Sequence, residues 1–164
     1  MPELTVLDEK LAEVLGLAQA AQQATKKVAT LARKEKETDL VARLEEMSKE
    51  SADTEKRCQA VADSREGLKT AIKTKARETK AEVTDFMKTY LEGGDALDGL
   101  EFLSMAEAGE LAHWEILGTL NETAKNAKVK TLVARILPLQ QEHVAKVRES
   151  ALALAAAEDP SEPA

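Results

Sequence analysis

Apolar side chains recur at intervals of three and four residues along the chain, and the two-residue alternation of a half-buried strand is absent. This spacing places the apolar side chains on one face of an α-helix. The first apolar stripe predicts a helix over about residues 5–33, and it consists of Leu4, Leu7, Leu11, Val14, Ala18, Ala21, Val28 and Leu31.

Polar segments divide the rest of the first half into two further helices. Thr5, with Asp8 three positions later, is a candidate cap for the first helix. The polar run 34–37 separates that helix from a second one, whose stripe extends to Val61. Residues 64–67 either end the second helix or lie within one continuous helix, because a single glycine costs only about 1 kcal/mol.

The third, fourth and fifth helices complete the pattern. The third helix covers about residues 68–90, and Gly93 with Gly94 supplies the strongest stop signal in the chain. Asp95 caps a fourth helix that extends to about Asn126, and a fifth covers about 129–157. We expect residues 5–157 to form a single domain and the Pro-containing, acidic tail 158–164 to be disordered.

The lengths of these helices determine the fold class. Helices of nearly 30 residues are about 45 Å long, and none can bury its apolar stripe alone. Joined by short connections, such helices pack as antiparallel neighbours around a shared core. The sequence therefore predicts an all-α protein built as an up-down antiparallel bundle of five long helices.

Composition narrows the functional classes. The net charge of −7 disfavours a broad nucleic-acid-binding face, and only 2% of the residues are aromatic. Cys58 is the single cysteine, so an internal disulfide is impossible, and we expect a small core residue there. No apolar run approaches the roughly 20 residues of a membrane span, and no basic leader is visible. We therefore expect a cytoplasmic protein with no nucleic-acid partner.

Four polar residues interrupt the apolar stripes of the last two helices. They form the pairs Glu110 with His113 and Gln140 with His143, each spaced so that both side chains lie on one helix face. With a tight turn at residues 126–127, Glu110 is level with His143, and His113 is level with Gln140. The sequence thus predicts that both imidazoles converge inside the bundle, halfway along its length.

Two segments within these helices, 112–120 and 139–144, resemble the ferritin-like superfamily. Within it, the chain is similar to small bacterial, stress-associated, rubrerythrin-related proteins, and residues 66–68 resemble the start of their crossover helix. The resemblance implies four core helices plus a helical crossover. It also implies metal ligation by Glu110, His113 and His143. We include Gln140 in this candidate metal site, and Glu107 and Glu50 are weaker candidates from their positions on the helices.

The chain departs from the superfamily pattern at two places. Gln140 stands where a glutamate is expected, and an amide is a poorer ligand for a hard cation than a carboxylate. The first helix has no acidic residue between Glu13 and Glu35. A complete site of this kind needs about four carboxylates and two histidines, so a single ion is less demanding than a di-metal centre.

These observations leave several hypotheses open. The polar residues form either a hydrogen-bonded core layer or a site for iron, manganese or zinc. The first alternative predicts a non-catalytic, stress-related bundle with a reduced metal site, and the second predicts metal oxidation or storage. A third hypothesis is that the amphipathic helices coat a lipid or granule surface. A homodimer is compatible with each of these hypotheses. We expect Glu107 to be a solvated carboxylate beside the site.

Overall fold

A computed structural model of the chain describes residues 1–163 and confirms the all-helical class. The alternative left open at residues 64–67 is decided by the structure. The second and third helices are separate, and a turn that contains Gly67 at a positive φ lies between them. Residues 158–163 are exposed and form no helix, and Ala164 lies outside the described residues. The helices are α1 (Val6–Lys34), α2 (Thr38–Asp63), α3 (Lys69–Tyr90), α4 (Ala96–Ala124) and α5 (Ala127–Ala157).

Local capping explains where several helices begin. The hydroxyl of Thr5 accepts a hydrogen bond from the backbone N–H of Asp8, as the sequence predicted for α1. Asp95 and Asp98 cap α4 reciprocally, each side chain accepting from the backbone N–H of the other. Asn126 caps α5 by accepting from the N–H of Val129. These caps satisfy N–H groups that have no partner within their helix.

Contacts between helices define their directions. α2 is antiparallel to α1, α4 is antiparallel to α1, and α5 is antiparallel to both α4 and α2. The four helices α1, α2, α5 and α4 therefore form a ring in which neighbours are antiparallel. α3 lies outside this ring and runs parallel to α1, to which Lys75 and Thr84 connect it through Glu9 and Gln23.

Glycine permits the close approach of α3 to α1. A Cβ at Gly16 would overlap the carbonyl oxygen of Ala76 and lie 2.8 Å from the Cβ of Thr79. A Cβ at Gly99 would similarly lie 2.8 Å from a methyl group of Val28, at the α1–α4 contact. Because real Cβ atoms do not tolerate such distances, each glycine sets how closely its two helices pack.

The buried apolar residues of the ring form two clusters along its length. The lower cluster surrounds Trp114 and includes Leu15 and Ile136. The upper cluster surrounds Phe102 and includes Leu44. Cys58 lies in the lower cluster, as expected, and burial raises the pKa of its thiol, so the thiol stays protonated.

Candidate functional site: a buried polar layer

A layer of polar side chains separates the two apolar clusters at mid-height in the ring. Between the two clusters, α2, α4 and α5 each contribute at least one polar side chain to this layer. At the same height α1 presents small residues such as Ala18 and Ala21. The members of this buried polar layer are Glu50, Glu107, Glu110, Gln140 and His143.

His143 is the centre of the layer, and its side chain is only 2% exposed. Its Nε2 donates a hydrogen bond of 2.6 Å to Oε2 of Glu50 on α2. Its Nδ1 lies 3.6 Å from Oε2 of Glu107 on α4 and has no hydrogen-bond partner among residues 1–163. Burial disfavours the imidazolium, but the carboxylates of Glu107 and Glu50 outweigh that cost and raise the pKa of His143.

Gln140, one helical turn before His143, links α5 to α4. Its amide Nε2 donates to Oε2 of Glu107 at 2.6 Å and to the backbone carbonyl of the same residue at 3.2 Å. Glu107 is 1% exposed, so this amide replaces water as a hydrogen-bond donor to a fully buried carboxylate. The hydrogen bonds between Gln140 and Glu107 fix the position of α5 along α4.

Glu110 is the second buried carboxyl of α4, one turn from Glu107. The indole N–H of Trp114 approaches its Oε1 at 3.5 Å. Burial and the neighbouring negative charge of Glu107 raise the pKa of Glu110 to about 8, against the opposing influence of His143. Glu110 is therefore mostly protonated at neutral pH. The layer therefore does not hold three negative charges at neutral pH.

The prediction that His113 joins this layer is wrong. The His113 side chain is 35% exposed, and its Nε2 lies 3.4 Å from a carboxylate oxygen of Glu13 on α1. Its Nδ1 donates to the backbone carbonyl of Gly109 at 2.8 Å, within its own helix. The two imidazoles therefore do not converge. His113 occupies the α1-facing edge of α4, one helical position away from the line of buried residues that contains Glu110 and Trp114.

The expectation that Glu107 is solvated is also wrong. Glu107 lies seven residues after Leu100 and seven before Trp114, and both of those residues are fully buried. Since seven residues return a side chain to nearly the same helix face, this heptad line was the sequence signal for its burial. Glu50, one of the two weaker candidates, lies between the buried Met47 and Thr54 and does reach the layer.

The reason for the register error lies in the turn between α4 and α5. α4 ends at Ala124 and α5 begins at Ala127, so the connection is centred earlier than the sequence suggested. The αL conformation of Lys125 closes this turn. His143 consequently meets Glu107, one helical turn away from the predicted partner Glu110.

A second polar cluster, absent from the sequence prediction, joins α1 to α2. Gln19 and Gln22 donate to the two carboxylate oxygens of Glu55, at 3.0 and 2.6 Å, and Gln59 donates to the same carboxylate. The glutamines of α1 therefore bind a surface-side carboxylate of α2. They do not supply donors to the layer between α4 and α5.

The donor set of the layer does not fit a di-metal centre. Such a centre needs about four carboxylates and two histidines from four helices, whereas the layer holds three carboxyl groups, one histidine and no donor from α1. Within residues 1–163, no three His, Cys, Asp or Glu side chains stand in a geometry that could hold a metal ion together.

Comparisons with known proteins supply no relative from which a function could be transferred. The chain matches no family model, no curated protein and no solved structure. Across residues 1–163, every helix is too short or too polar to cross a membrane.

Proposed function

We propose that this chain is a non-catalytic, stress-related helical bundle protein of ferritin-like type, whose buried polar layer is a reduced form of a di-metal site. The layer then acts as a structural element that fixes how the helices of the ring align. The stress-related part of the proposal rests on the resemblance of segments 112–120 and 139–144. The structural part rests on the hydrogen bonds of the layer.

One contact carries the proposal: the amide of Gln140 donating to the buried carboxylate of Glu107 at 2.6 Å. In a di-metal bundle of this architecture, the helix equivalent to α5 carries Glu-x-x-His, and the carboxylates face cations. Here Gln140 and His143 keep that three-residue spacing, and N–H groups from both side chains face the carboxylates of Glu107 and Glu50. Hydrogen-bond donors of the protein thus take the positions where cations would neutralise these acids.

The direction of the helices also supports the proposal. α1 and α2 form one antiparallel pair, α4 and α5 form another, and the intervening α3 returns the chain along the length of α1. A ring of two hairpins with one long crossover is the connectivity that a ferritin-like bundle requires.

Metal analysis of the purified protein tests the proposal. We expect no stoichiometric iron, manganese or zinc after incubation with each ion and desalting, and no acceleration of ferrous iron oxidation. The variant Gln140→Glu restores the missing carboxylate, and we expect it to bind one divalent ion measurably more tightly than the wild type. Glu142→Gln, at an exposed position of the same helix, is the matched control and should change nothing.

A single-ion site is the second candidate, and the unpartnered Nδ1 of His143 favours it. That nitrogen is buried and faces the Glu107 carboxylate at 3.6 Å, and an imidazole nitrogen beside a carboxylate is a common ligand pair for zinc or iron. Stoichiometric metal in the wild type that disappears in His143→Ala, and persists in His113→Ala, would establish this candidate and overturn the first.

The third hypothesis, a helical coat on a lipid surface, conflicts with the position of the layer. Opening the ring would place Glu107, Gln140 and His143 against an apolar phase without their present partners. Burying such groups without hydrogen bonds is costly.

A further inference from the structure

A groove at one end of the ring lies between α2 and α5, away from the buried polar layer. Its volume is about 520 Å³, within the range of roughly 300–1,000 Å³ that is usual for small-molecule sites. Val61 and Leu132 form an apolar floor, with Ala60 and Ala127 beside them. Arg57, Lys128 and Arg135 stand along it, and its lining contains no acidic residue.

The charges of the groove differ from those of the rest of the contact between α2 and α5. At the other end of this contact, Arg43 of α2 lies 3.4 Å from a carboxylate oxygen of Glu149 of α5. In the middle, Glu50 binds His143. Both of these contacts join an acid on one helix to a nitrogen donor on the other, whereas both helices contribute cations to the groove.

Most of this positive charge has no counterion within the protein. Lys128 and Arg135 form no ion pair among residues 1–163, and Arg57 is paired only with Asp53 of its own helix, at 2.6 Å. The first turn of α5 has no acidic residue, so the positive end of its helix dipole adds to the charge of Lys128. Three cations beside an apolar floor, in a protein of net charge −7, form a local site of the opposite sign.

We propose that the groove between α2 and α5 binds a single-chain amphiphile with a carboxylate head, the chemistry of a free fatty acid. The carboxylate lies among Arg57, Lys128 and Arg135, where it relieves the repulsion between like charges. The acyl chain lies on Val61 and Leu132, which removes apolar surface from water. The proposal is independent of the buried polar layer, because no residue of that layer lines the groove.

Titration with sodium decanoate below its micelle concentration, followed by calorimetry and by amide NMR shifts, tests the proposal. We expect saturable binding of one decanoate, with shifts concentrated at residues 57–61 and 127–135. Affinity should rise roughly tenfold or more for each two-carbon extension from octanoate to dodecanoate, since each buried methylene contributes about fourfold. Decyltrimethylammonium, which has the opposite charge, should not bind at this site.

Substitutions in the groove test where the carboxylate head and the acyl chain of decanoate bind. Arg135→Gln and Lys128→Gln should each weaken decanoate binding by about two- to fivefold. Arg148→Gln, an exposed cation of α5 outside the groove, should leave it unchanged. Ala60→Trp fills the groove and should abolish binding, while Ala52→Trp, at an exposed position of α2 outside the groove, should not.

Three results would overturn the proposal. The first is no decanoate binding to the folded wild-type protein. The second is equal weakening of decanoate binding by Arg148→Gln and Arg135→Gln, which would show that binding depends only on the net charge of the protein. The third is binding to phosphatidylglycerol vesicles without binding of monomeric decanoate, which would make this face a membrane contact. Far-UV circular dichroism of each variant verifies that it is folded before its affinity is compared.

Discussion

The apolar clusters and the polar layer between them are built from the same helices but hold the ring together in different ways. The clusters around Trp114 and Phe102 bury side chains that need only volume and contact. The layer instead depends on individual pairs, because Glu107 and His143 are buried and each must face a partner. Apolar packing is non-directional, whereas hydrogen bonds accept few geometries. The clusters therefore contribute most of the stability, and the layer selects one alignment.

The largest effect should come from the lower cluster. Trp114→Ala removes a fully buried indole and should lower the free energy of unfolding by about 3–5 kcal/mol, as for other large core truncations. Urea denaturation followed by circular dichroism measures the loss. Ile116→Ala, at an exposed position of the same helix, is the control and should cost well under half as much. Equal losses would show that Trp114 does not anchor the cluster.

Glu107→Ala should give the next largest loss. It removes the side-chain acceptor of the Gln140 amide, which keeps only the backbone carbonyl of residue 107, and it removes one of the two carboxylates beside His143. We expect a loss of about 2–3 kcal/mol in the free energy of unfolding, because the buried Gln140 amide loses its shorter hydrogen bond while the buried His143 ring loses one of its two neighbouring carboxylates. Glu115→Ala, at an exposed position of α4, should change stability by less than about 0.5 kcal/mol.

A double replacement sharpens that result. Changing Glu107 and Gln140 together to leucine removes the acceptor and the donor at once. This variant should cost less than Glu107→Ala alone, since no buried amide remains that lacks a side-chain acceptor. If the double variant loses more than the single one, the layer contributes net stability beyond the pairing of its members.

A pH dependence should distinguish the layer from the clusters. The pKa of Glu110 is raised to about 8 in the folded protein, so the folded state binds more protons than the unfolded state. Its stabilising contribution is complete below the unfolded pKa of about 4.5 and is lost as the pH rises toward 8. The raised pKa of His143 acts in the same direction above its ordinary value. The titratable groups near Glu110 are Glu107 on α4, Cys58 on α2 and His143 on α5. Glu50 on α2 lies beside His143.

Glu110→Gln tests this linkage. Between pH 6 and 7.5, the wild type should lose about 2 kcal/mol of unfolding free energy through Glu110, and the variant should lack that part of the slope. Urea denaturation at both pH values measures it. Glu115→Gln controls for the removal of a surface carboxylate. Parallel pH profiles for wild type and Glu110→Gln would contradict the assignment.

The smallest effect should come from the histidine outside the layer. His113→Ala removes a partly exposed ring that lies 3.4 Å from Glu13 and should cost about 0.5 kcal/mol, the scale of a surface ion pair. His143→Ala should cost several times more, because it also leaves Glu50 and Glu107 without their shared partner. Equal losses of stability in the two variants, measured by thermal unfolding, would show that the two imidazoles do not differ in their structural role.

The sequence predicted the helices better than it predicted the layer. The boundaries of α1 and α3 agree within two residues, because Thr5 and Gly93 end the periodic pattern at defined positions. The position of α4 against α5 depended on the turn near Lys125, where a shift of one helical turn exchanges Glu110 for Glu107 as the neighbour of His143. His113 shows a second limit. It lies at the edge of the apolar stripe, where one helical position separates burial from partial exposure.

The neighbours of α1 bear on how the chain folds during synthesis. α1 packs against α2, α3 and α4, all of which follow it in the chain. A nascent chain that has emerged only to the end of α3 still exposes the side of α1, around Val28, against which Gly99 of α4 will pack. Such an intermediate presents apolar surface to chaperones until α4 leaves the ribosome, so premature termination before residue 96 should yield an aggregation-prone fragment.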